Sequence, residues 1–121
     1  MKLDITITVD EERISDLLAT ALEGGSTYWA DIEYTLGDIK GGNYWSDAPM
    51  AGGHFIIVTR DREEINGAKE WLVDRDTCIN GLLIMQRDYP RAFSNWLAEN
   101  DDAETGDVFL QCVCFGEVYF G

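Results

Sequence analysis

Leu3, Ile5, Ile7 and Val9 alternate strictly with Asp4, Thr6 and Thr8, the pattern of a strand with one buried and one wet face. Asp10 then precedes Glu11 and Glu12, and Ile14, Leu17, Leu18, Ala21 and Leu22 follow at helical spacing. An amphipathic helix capped by Asp10 is expected, closed at Gly24 or Gly25 by a residue of positive φ. Residues 30–36 alternate again and predict a second strand, and the β-branched run 54–59 suits a central one. Between them, residues 37–53 hold five glycines and one proline without a sustained period, which predicts a long loop. Asn66-Gly67 is the dipeptide of tight hairpin turns, so residues 68–73 should fold back on the preceding strand.

In the second half, Asp76 is placed to cap a helix over residues 77–88, and Tyr89-Pro90 both ends it and starts another carrying Phe93, Trp96 and Leu97. A last helix over residues 103–115 would stop at Gly116, although the apolar run 108–115 would equally suit a buried strand; residues 117–120 read as a terminal edge strand. The expected fold is α+β, a small antiparallel sheet packed against about three to four helices, in a single domain spanning residues 1–121. Ile14, Leu17, Leu18, Phe55, Ile57, Phe93, Trp96, Leu97 and Phe109 should form its core.

Composition supports an independently folding chain, with 45% apolar and 12% aromatic residues. No apolar run approaches the roughly 20 residues of a membrane span. The first residues lack a basic leader with an apolar block, so a cytoplasmic location is expected. Cys78, Cys112 and Cys114 are then expected to be reduced core thiols.

Charge changes the picture more, because 23 acidic against 9 basic side chains give a net charge of −14. Residues 92–121 contain no Lys or Arg, and residues 14–39 contain none either. Such a surface aids solubility, and it also suits a basic partner. Direct nucleic-acid binding is disfavoured because the excess negative charge repels phosphates.

Candidate chemistry is sparse. Gly24, Gly25, Ser26, Tyr28 and Trp29 are echoed 17 residues later by a second Gly-Gly pair followed by Tyr44 and Trp45. Such a motif can be a helix end with core aromatics, or a place where backbone, hydroxyl and ring meet a planar ligand. Asp101, Asp102, Glu104 and Asp107 form an acidic cluster that fails the spacing of a calcium loop and suits helix capping. His54 is the single histidine, and Cys112 and Cys114 alone do not make a zinc site, so neither a metal nor another cofactor is expected. No catalytic signature occurs, and enzyme activity is the least supported class.

Two segments, residues 17–29 with the Gly-Gly-Ser-Thr-Tyr-Trp turn and residues 102–121 with Asp-Val-Phe-Leu-Gln and Phe-Gly-Glu-Val-Tyr-Phe-Gly, together resemble a family of small bacteriophage and prophage proteins. The resemblance implies phage origin and assigns no activity and no catalytic residue. Gly106 departs from the alanine expected at that helix start, which would weaken the helix slightly. Phage origin favours, by analogy, an accessory protein that binds a basic surface of a host protein, in host takeover or counter-defence, for example anti-CRISPR-like blocking of a nucleic-acid-binding groove. The alternative is a nucleotide-like ligand held by the Gly-Gly and Tyr-Trp motifs. Neither alternative fixes an oligomeric state.

Overall fold

The computed structural model describes residues 1–33, 45–100 and 102–121. Its elements run α1 (Glu11–Thr20), a π turn (Ala21–Gly25), β1 (Ala30–Glu33), a 3-10 turn (Trp45–Asp47), β2 (Phe55–Thr59), β3 (Glu70–Val73), α2 (Arg75–Asp88), α3 (Pro90–Leu97) and α4 (Ala103–Phe115). The fold is α+β: an antiparallel three-stranded sheet in the order β1-β2-β3, with helices over it. Apolar β2 lies at the centre, pairing Ile57 with Ile32 on one side and with Trp71 on the other.

Local chemistry explains most boundaries. Asp10 accepts from the Glu12 amide at 3.0 Å and starts α1. Asn66 and Gly67 both take positive φ (53° and 85°), which two-residue hairpin turns require, and Ile65 and Ala68 exchange backbone hydrogen bonds across them. Pro90 begins α3, and Gly116 closes α4 in the left-handed region at φ 74°. The apolar run of the last element is therefore helix, not strand.

Helix α4 is the hub, packing on α1, the π turn, α2 and α3. Glycines permit its close crossings. A Cβ on Gly81 would lie 2.8 Å from the Val113 backbone, and one on Gly106 would lie 2.9 Å from the Ala21 amide nitrogen. Gly106 is thus required where it stands, and the slight loss of helix propensity is offset by the approach of α1 to α4. Eight of the nine expected core residues are buried; Leu97, at 40% exposure, is not. It sits at the last turn of α3, where the helix face rolls out of the core.

Four expectations are corrected. Residues 3–9 pair with no strand among the described residues; their apolar side lies instead against α2 and α3, where Ile5, Ile7 and Val9 border a hollow with Leu82, Leu83 and Phe93. Asp74, not Asp76, caps α2, accepting from the Thr77 amide while the Thr77 hydroxyl accepts from the Asp74 amide, both at 2.9 Å. Neither Gly24 nor Gly25 has positive φ, since α1 widens into the π turn and closes with a bond from the Ser26 amide to the Ala21 carbonyl at 2.8 Å. Residues 117–120 form no strand. Their backbone partners are instead side chains: the Tyr89 hydroxyl accepts from the Val118 amide at 2.8 Å, and Gln111 Oε1 accepts from the Tyr119 and Phe120 amides (2.7 and 2.8 Å) while its Nε2 donates to the Phe120 carbonyl at 3.2 Å. A buried glutamine here satisfies the groups a neighbouring strand would otherwise meet. Residues 34–36 of the second expected strand and residues 37–44 of the long expected loop lie outside the described residues; the rest of that loop holds the 3-10 turn Trp45–Asp47 and further turns before β2.

Candidate functional site

The Gly-Gly-Ser-Thr-Tyr-Trp segment and α4 meet at Asp107. One carboxylate oxygen accepts from the Ser26 hydroxyl and from the Trp29 indole N–H, each at 2.8 Å. The other accepts from the Tyr28 hydroxyl at 2.7 Å. Three donors spaced over four residues of one turn therefore converge on one side chain in the second turn of α4. Gly25 makes room for this approach, since a Cβ there would fall 2.2 Å from the Ala103 carbonyl oxygen. Gly24, by contrast, has open space around its Cβ position.

The aromatic rings are engaged as well. Trp29, buried at 3% exposure, stacks on Phe120 with centroids 5.3 Å apart at 17°, and meets Phe115 at 5.0 Å. Phe120 belongs to the segment that Gln111 holds, one helical turn beyond Asp107. Residues 26–29 and the C-terminal residues 119–120 are thus tied to one helix as a single latch, with Asp107 gripping the first and Gln111 the second. Ser26 and Trp29 face inward, which leaves Tyr28, half exposed, as the accessible ring of the motif. In the second copy of the motif, Trp45 packs edge-on against Phe55 at 6.4 Å, and Tyr44 lies outside the described residues.

Burial foremost, and then the Asp107 carboxylate, pushes the Tyr28 hydroxyl up from its ordinary 10.0 to about 12. The raised value stabilises the fold fully below the ordinary tyrosine range and is lost as pH rises through about 12. An NMR titration following the Tyr28 ring carbon bearing the hydroxyl should therefore give a midpoint near 12 in the native chain and a lower one in Asp107→Asn. A native midpoint at 10.0 would place the hydroxyl away from Asp107.

The remaining acidic candidates lie elsewhere. Asp102 caps α4, accepting from the Thr105 amide at 2.8 Å, and that hydrogen bond holds its carboxyl below the usual range. Asp102 and Glu104 line an open groove of about 600 Å³ between the α2–α3 turn and the start of α4, together with Asp88, Tyr89, Arg91 and Asn95. Asp101 lies outside the described residues. Asp107 is turned into the latch, so the acidic cluster divides between two sites. Asp88 joins the groove from 14 residues away from Asp102, and no spacing in the sequence signals that meeting. Its carboxylate is bridged by exposed Arg87 at 2.7 Å, a contact of small energetic weight that an incoming cation can replace.

Chemically, the groove offers acceptors and negative charge. Among the described residues no cluster of three or more His, Cys, Asp or Glu is arranged to hold a metal ion. Burial pushes the thiols of Cys78 and Cys112 up to about 12 and that of Cys114 well above its ordinary value, which keeps all three in the poorly nucleophilic protonated form. Also among the described residues, no helix is long and apolar enough to cross a membrane. No protein-family model matches the chain, and comparison with curated proteins and with solved structures likewise gives no match.

Proposed function

We propose that this chain acts by binding, as a small acidic phage accessory protein that occupies a basic surface of a host protein. The observation that carries this is the open groove in which Asp88, Asp102 and Glu104 face a single basic side chain, Arg91. A concave acidic site in a chain of net charge −14 speeds encounter with a basic partner and repels nucleic acid, so the partner is a protein. Host takeover or counter-defence, by covering a basic nucleic-acid-binding groove, is the role that fits this chemistry. A nucleotide-like ligand at the Gly-Gly and Tyr-Trp motif receives less support, since the Ser26 and Trp29 donors already have an acceptor and the Trp29 ring is covered.

The test compares the native chain with Asp88→Asn/Asp102→Asn/Glu104→Gln, in which Asn at position 102 preserves a cap. After capture from host lysate at low salt and identification of the partner, the association rate with the variant should fall about tenfold, with a shallower salt dependence. An unchanged on-rate and salt slope in the folded variant would overturn the proposal, as would a lysate yielding no salt-sensitive partner.

A further inference from the structure

Residues 3–9 are the least explained part of the molecule: extended, amphipathic, and without a hydrogen bond to any described residue. Leu3 and Ile5 are 73% and 79% exposed. Ile5, Ile7 and Val9 border a hollow with Leu82 and Leu83 of α2 and Phe93 of α3, and exposure falls along the segment to 45% at Ile7. The apolar surface continues along α2 through exposed Ile79 and Leu83. An unpaired strand with one apolar face calls for an antiparallel neighbour, because its amides and carbonyls otherwise present an open edge.

We propose that the neighbour is the same segment of a second copy of this chain, in a two-fold symmetric homodimer centred on Thr6. Antiparallel pairing about Thr6 sets Leu3 opposite the partner's Val9 and Ile5 opposite the partner's Ile7, so all eight apolar side chains share one face. Thr6 meets its own copy, a favourable cross-strand pair, and Lys2 meets the partner's Asp10 twice. No other register centred within the segment provides that charge pairing together with a common apolar face. The pairing also accounts for the exposure gradient. Leu3 and Ile5, bare in one copy, come to lie beside the partner's Ile7 and Val9, over the apolar surface of the partner's α2. Asp10 remains accessible for this, since its cap bond to Glu12 is itself exposed. Isologous contacts of this kind close on themselves and stop at two copies.

Sedimentation equilibrium of the full chain tests this. The native protein should reach twice its chain mass by about 100 μM, whereas Thr6→Pro, which removes an amide and blocks the ladder, should remain monomeric with unchanged helical content. Lys2→Glu should weaken association at least about tenfold while leaving the fold untouched. Hydrogen exchange should slow at residues 3–9 as concentration rises. A native chain that stays monomeric at that concentration, or a dimer that Thr6→Pro leaves intact, would overturn the inference.

Discussion

Asp107→Ala is expected to destabilise the chain by about 3–5 kcal/mol. Three hydrogen bonds end on this carboxylate, and a bond to a charged acceptor contributes about 1.5–3 kcal/mol. The three are not additive, because they share one acceptor and the Tyr28 hydroxyl can turn to water. Ser26 and Trp29 cannot: at 1% and 3% exposure, their donors would be left buried without partners. Asp107→Asn, which keeps one acceptor oxygen and loses the charge, should cost less, about 1–3 kcal/mol. Urea denaturation followed by tryptophan fluorescence reads both. A loss below about 1 kcal/mol for Asp107→Ala would mean that the donors are not satisfied there.

Gly25→Ala should be nearly as damaging, at about 3 kcal/mol, while Gly24→Ala should be neutral or stabilising by up to about 1 kcal/mol. The adjacent positions have the same residue and belong to the same π turn, but their surroundings differ. At Gly25 the new methyl would fall 2.2 Å from a backbone oxygen of α4, which no side-chain rotation relieves, whereas at Gly24 it meets nothing within 4 Å. Relief would require the π turn to withdraw from α4, carrying Ser26 away from Asp107. The two effects are therefore coupled, and Gly25→Ala should also lower the Tyr28 titration midpoint. Equal thermal midpoints for the two alanine variants would contradict the close approach.

Much of the architecture was legible because local chemistry dictated it. Asp10, Asn66-Gly67, Pro90 and Gly116 each impose a backbone conformation or satisfy a local donor; Asp10, Pro90 and Gly116 mark helix ends, and Asn66-Gly67 marks the turn between β2 and β3. Where two local solutions competed, the wrong one could be chosen: Asp74 and Asp76 both stand at the start of α2, and only Asp74 has Thr77 at the spacing of a reciprocal cap. Periodicity describes the two faces of an extended segment without supplying its partner. Residues 3–9 consequently alternate like a strand and have none, and residues 117–120 are held by tyrosine and glutamine side chains.

The candidate site was legible in its parts and not in its assembly. Both the Gly-Gly-Ser-Thr-Tyr-Trp turn and the acidic cluster stood out, but they are separated by 78 to 81 residues, and no local rule foretells that one carboxylate of the cluster satisfies three donors of the turn. That meeting changes the meaning of both. The turn becomes a structural junction, and the acidic cluster loses Asp107 while gaining Asp88 as a neighbour in the groove.

Asp107 and the Gly-Gly-Ser-Thr-Tyr-Trp turn stabilise the fold through direct contact. A double-mutant cycle in urea with Ser26→Ala and Asp107→Ala measures that contact directly. Ser26→Ala removes only the buried hydroxyl, so the pair should show a coupling free energy of about 1–2 kcal/mol, the double variant being less destabilised than the sum of its single changes. Strict additivity, within about 0.3–0.5 kcal/mol, would contradict the latch and return the turn's polar groups to the list of possible ligand contacts.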